Sequence, residues 1–144
     1  MFKDLLSRLL APAPALSDPD ARLAMAALLI RLARTDGHYA PEEIARIDRI
    51  LEARYGLDHA SAQELRRHGE TLEEEAPDTV RFTRAIKEAV PYEERLSVIS
   101  ALWSVALADG VRDAEEDALM RLAANLLGVS DIDSARARQG VARS

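Results

Sequence analysis

The sequence predicts an all-α protein, a compact bundle of about seven to eight helices. Three observations predict it. Ala, Leu, Glu and Arg dominate, β-branched residues are sparse, and no segment alternates apolar and polar positions as a half-buried strand does. Pro and Gly punctuate the chain at helix-length intervals, as at Pro19, Pro41, Gly56, Pro91 and Gly128. One helix–turn–helix segment occurs twice, 73 positions apart, and predicts two helical hairpins related by a pseudo-twofold axis.

Residues 1–16 read as an N-terminal amphipathic helix and a Pro-rich linker, and residues 17–140 as the helical domain. In Phe2–Leu10, Phe2, Leu5, Leu6 and Leu9 share one face, and Pro12 and Pro14 break the helix. Ser17 or Asp18 caps the next helix, with Pro19 in its first turn. Between Leu23 and Ala33 only Arg31 is polar, so this helix is central. Pro41 opens the following helix. Its apolar stripe is Ile44, Ile47, Ile50 and Leu51, with Arg46, Asp48, Arg49 and Glu52 toward water and Gly56 as its stop.

Asp58–Glu75 reads as an exposed, weakly packed helix anchored by Leu65 and Leu72, ending near Pro77. Asp78–Val90 forms another, anchored by Val80, Phe82, Ile86 and Val90. Pro91 starts a second central helix that runs to Asp109 and places Trp103 in the core. Asp113 with Glu116 three residues on is a capping-box pattern for the next helix, whose stripe is Leu119, Leu122, Ala123, Leu126 and Leu127. Ser130 or Asp131 starts a short last helix, with the tail frayed beyond Gly140. Short connections favour antiparallel packing of neighbours.

Each copy of the repeat is an apolar run, Asp-Gly, four residues, a Glu pair and an amphipathic run. The first carries Asp36, Gly37, Glu42 and Glu43; the second carries Asp109, Gly110, Glu115 and Glu116. An Asp at a helix C-terminus faces exposed carbonyls and is disfavoured by roughly 0.3–1 kcal/mol. Two explanations answer this. The Asp side chains close Asx-type turns and the Glu pairs complement the positive start of the next helix. Alternatively, Asp36, Glu43, Asp109 and Glu116 converge on a divalent cation, with Glu42, Asp113 and Glu115 behind them. All-oxygen donors suit Ca²⁺, Mg²⁺ or Mn²⁺. The loop is not an EF-hand, which needs Gly at its sixth position and Glu at its twelfth; here the twelfth is Ile47 or Met120.

Composition excludes much else. The formal net charge of −6 argues against nucleic acid and anionic lipid as partners. The sequence contains no Cys, and hence no disulfide or thiolate metal site. Charges at Lys3, Asp4 and Arg8 interrupt any signal-peptide core, and no uncharged apolar run approaches the roughly 18 residues of a membrane span. A cytoplasmic location is expected, with at most weak peripheral membrane contact through the N-terminal helix. No nucleophile with an activating base, no phosphate loop and no Glu-x-x-His appear, so no enzyme activity and no catalytic residue are expected. His38, His59 and His68 read as surface residues.

The paired segments TDGHYAPEEIARI and ADGVRDAEEDAL resemble the TerB-like family, the tellurite-resistance B proteins and relatives, over roughly residues 20–135. The resemblance implies a compact all-α fold of about seven helices. It also implies a role in tellurite resistance and general stress response, with metal binding by the acidic turns at Asp36, Glu42, Glu43, Asp109, Glu115 and Glu116. The alternative it implies is a co-chaperone-like protein–protein interaction module whose acidic turns are structural.

Overall fold

The computed structural model describes residues 18–35, 37–76, 78–108 and 114–142. The expected N-terminal helix and its Pro linker, the Ser17 cap and Asp113 lie outside the described residues. Seven helices and no strand are found among the described residues. They are α1 (Asp18–Arg34), α2 (Pro41–Tyr55), α3 (His59–Glu75), α4 (Val80–Ala89), α5 (Tyr92–Ala106), α6 (Ala114–Leu126) and α7 (Asp131–Ala142).

Two apolar helices organise the bundle, as their sequences predict. From Ala24 to Ala33 every residue of α1 except Arg31 is buried, and α1 lies against α2, α3, α4, α5 and α6. On α5, Val98, Ile99, Leu102 and Val105 are buried, and the helix touches α1, α2, α6 and α7. Ile47 and Leu51 of α2, Phe82 and Ile86 of α4, and Met120 of α6 complete the core. Each such side chain withdrawn from water contributes roughly 1.5–3 kcal/mol. Neighbouring helices are not the closest partners: α1 packs most extensively on α3, and α5 on α7.

The close fit of α1 and α3 overturns the expectation of a weakly packed helix at 58–75. α3 presents small residues to α1. Ala62 and Gly69 are buried, and a Cβ on Gly69 would stand 2.7 Å from the Ala26 Cβ. The absence of a side chain is what lets the two backbones approach. Asp58 caps α3 through the Ser61 N–H at 2.8 Å, a bond that lowers the Asp58 pKa.

Arg31, the lone polar residue of the central run, locks the far end of α3. Its Nε donates to Glu73 Oε2 at 3.2 Å. Its Nη2 donates to the Glu73 carbonyl at 2.9 Å and to the Ala76 carbonyl. Its guanidinium lies over the Phe82 ring, 4.8 Å from the centroid. Arg34 reaches the same carboxylate at 2.6 Å. Burial opposes the Arg34 charge, but the Glu73 hydrogen bond and field hold its pKa above the ordinary value. Arg95 does similar work on α4, donating to the Lys87 and Val90 carbonyls at 3.0 Å each.

Several positions depart from the expected faces. Asp48 is 5% exposed, because Arg66 reaches across from α3 to pair with it. Arg46 is half-buried and donates to Ser104 on α5 at 3.0 Å. Val80 and Leu122 (45%) are exposed, and Met120 and Ala124 join the expected Ala123 in the core positions of α6. Trp103 is half-buried; its Nε1 donates to Ser134 on α7 at 3.2 Å and Arg138 covers its ring. α7 continues past Gly140 to Ala142.

Two expectations follow. Gly69→Val lowers unfolding free energy by about 2 kcal/mol or more through overpacking against Ala26, whereas Gly140→Ala, with open space at its Cβ, raises it by roughly 0.5–1 kcal/mol. Arg31→Met, which takes the donor from the Glu73 and Ala76 carbonyls while Arg34 still holds the Glu73 carboxylate, costs about 2 kcal/mol, and Arg31→Lys costs less because the charge survives. Urea unfolding of the four variants checks both.

Candidate functional site

The first acidic loop joins α1 to α2, and each of its residues has a local reason to be there. α1 ends at Arg34. The Gly37 N–H donates to the Arg34 carbonyl at 3.1 Å, and Gly37 takes a left-handed conformation, with φ of 81°. His38 is exposed. Ala40 is extended, and Pro41 opens α2 where its missing N–H costs nothing.

The two glutamates that follow have opposite environments. Glu42 faces water and Glu43 is 1% exposed. Glu43 is the third residue of α2, and its Oε1 accepts the Ala40 N–H at 3.1 Å. That is the return half of a capping box.

The second loop matches the first in the position and burial of its glutamates. α5 closes with the Leu107 N–H on the Trp103 carbonyl and the Ala108 N–H on the Val105 carbonyl. α6 begins at Ala114. Glu115 is exposed, and Glu116, the third residue of its helix, is 3% exposed. Asp36, Asp109, Gly110 and Asp113 lie outside the described residues. Among the described residues no group of three His, Asp or Glu side chains could hold a metal ion.

The two repeats touch directly. α2 of the first copy packs on α5 of the second, and the Arg46–Ser104 hydrogen bond crosses that seam. The Arg46 Nε is buried and meets no hydrogen-bond partner among the described residues.

A polar chain beside the first loop has no counterpart in the sequence pattern. The Tyr39 hydroxyl donates to Glu70 Oε2 at 2.8 Å. Arg66 donates to the same oxygen at 3.1 Å and to Asp48 Oδ1 at 2.6 Å. The Arg34 guanidinium covers the Tyr39 ring at 4.9 Å. Loop, α2 and α3 are thereby fastened together. Burial opposes the Arg66 charge, yet Asp48 and Glu70 hold its pKa above the ordinary value. The one visible signal is Arg66 and Glu70 a helical turn apart. Nothing in the spacing names Asp48 or Tyr39 as their partners.

Comparison with known proteins decides the family. The model of the tellurite resistance protein TerB family matches residues 22–139. The chain belongs to the TerB family. Among solved structures it is similar to a protein of unknown function from Porphyromonas gingivalis W83, with a TM-score of 0.65 and 20% identity over 92% of this chain and 95% of that one. That likeness shows the fold. No curated protein matches the chain significantly.

The Tyr39 chain gives this TerB domain a pH signature. Burial first, then the Glu70 hydrogen bond, pushes the Tyr39 pKa above its ordinary value of 10.0. A raised folded-state pKa on a tyrosine means that its stabilising contribution is full below pH 10 and is lost as pH rises above it. Tyr39→Phe therefore loses stability at neutral pH and shows a shallower alkaline decline than the native chain. Urea unfolding on both sides of the ordinary tyrosine pKa measures the difference.

Proposed function

We propose that this TerB domain is a non-enzymatic, cytoplasmic component of tellurite resistance and general stress response. In this reading its two acidic loops hold a divalent cation, Ca²⁺, Mg²⁺ or Mn²⁺. One observation carries the reading: the second glutamate of each pair, Glu43 and Glu116, is drawn out of water at the same third position of its helix. A buried carboxylate calls for positive charge or donors nearby. Asp36 and Asp109, with the exposed Glu42 and Glu115 at the rim, would supply the remaining oxygen ligands. Among the described residues no helix is long and apolar enough to cross a membrane.

A second reading is an interaction module whose acidic loops only shape the turns. Two observations favour it. Glu43 is already employed in capping α2, and Ile132 stands 68% exposed on α7.

Metal titration separates the two. A cation bound only by the native state raises the melting temperature. The cation reading expects a rise with millimolar Ca²⁺, Mg²⁺ or Mn²⁺ that disappears in the Asp36→Asn/Asp109→Asn double variant. An unchanged melting temperature with all three metals leaves the interaction module standing.

A further inference from the structure

Away from the acidic loops, a cleft of about 480 Å³ opens where α1, α2 and the α4–α5 junction meet. Arg22 of α1 and Arg54 of α2 stand on its walls, and the ring of Tyr55 lies within reach of both. The Arg22 guanidinium carbon is 4.9 Å from the ring centroid and that of Arg54 is 5.9 Å. Arg54 is held in place, since its Nη1 donates to Ser97 Oγ at 2.8 Å and that hydroxyl donates onward to the Glu94 carbonyl at 2.6 Å.

Two arginines without a carboxylate partner among the described residues meet at one ring in this cleft. Acids outnumber bases 25 to 19 in this chain, yet neither Arg22 nor Arg54 pairs with a carboxylate among the described residues. Arg31, Arg34 and Arg66 each do. Both cleft arginines are half-buried. Two partly desolvated like charges beside one ring repel, and an anion between them relieves that cost.

We propose that this cleft binds a small organic molecule through an oxyanion group, a phosphate or a carboxylate. Guanidinium forks match the oxygens of either group. The volume falls within the roughly 300–1,000 Å³ of small-molecule pockets and exceeds what a bare inorganic anion fills. The Tyr55 ring and Val90 offer surface for the rest of the ligand. The Glu94 carboxylate on the same wall disfavours a second negative group, and the net charge of −6 repels polyanions at a distance.

Titration of the full chain with phenyl phosphate, benzoate and inorganic phosphate, followed by amide chemical shifts and calorimetry, tests the site. Phenyl phosphate or benzoate is expected to bind saturably at millimolar concentration or below and to shift the amides of Arg22, Arg54 and Ser97. Arg22→Gln and Arg54→Gln are each expected to weaken binding about tenfold, the usual loss of one charged hydrogen-bonding partner, while Arg84→Gln on the exposed face of α4 changes nothing. Both cleft positions are half-exposed, and an unchanged melting temperature certifies the fold of each variant. No saturable binding by the organic anions overturns the proposal. So does binding that survives both substitutions, falls equally with Arg84→Gln, or is matched by inorganic phosphate alone.

Discussion

The grip of Arg31 on the end of α3 is the interaction on which the bundle depends. A helix leaves its last four carbonyls without partners, and a buried helix end must find donors for them. α3 ends with Glu74 and Glu75 in water but with Glu73 half-buried against α1 and Ala76 buried behind it. One guanidinium reaches the Glu73 and Ala76 carbonyls, the Glu73 carboxylate and the Phe82 ring. It thus joins the central helix to the end of α3 and the start of α4 at one point. The usual preference for basic side chains at helix C-termini is met here from another helix.

How much of the fold is legible follows from what sequence patterns encode. Apolar periodicity reports which helices are central, so α1 and α5 are readable, as are Pro and Gly boundaries such as Pro41 and Gly56. Contacts made by small or polar residues leave no such signal. Gly69 contributes to packing through the side chain it lacks, so a polar α3 reads as loose although it is the closest partner of α1. Asp48 is buried because of Arg66, eighteen residues away on another helix, and a period of 3.6 carries no information about that. On α6, the apolar residues outnumber the places available in the core. Which one is left outside depends on the rotation of the helix, and Leu122 is left out while Met120 enters.

The repeat is legible as chemistry more than as geometry. Matching spacing places Glu43 and Glu116 at the third position of their helices, but spacing does not report burial. A carboxylate in a first turn gains roughly 0.3–1 kcal/mol from the helix end. Removing it from water costs several kcal/mol. The helix field alone cannot balance the two, so neighbouring polar groups contribute. Ala40 supplies one such donor to Glu43. These magnitudes show why a carboxylate at that position is buried only beside polar neighbours, and composition alone does not reveal it.

Placing charges by helix end also brings out arginines that close no helix end and pair with no acid among the described residues. In this bundle acids gather at helix starts, as at Glu42, Glu43, Glu93, Glu94, Glu115 and Glu116. Arg31 and Arg95 cover carbonyls at the ends of α3 and α4, and Arg66 neutralises Asp48 and Glu70. Arg22 satisfies no carbonyl among the described residues, and Arg54 reaches only the Ser97 hydroxyl. A side chain that closes no helix end and neutralises no acid contributes little to the fold, yet its charge still resists burial. Arg46 and Arg138 also lack a carboxylate partner among the described residues, but Arg22 and Arg54 share one ring and one cleft, and this coincidence turns a pair of cations into a candidate recognition site.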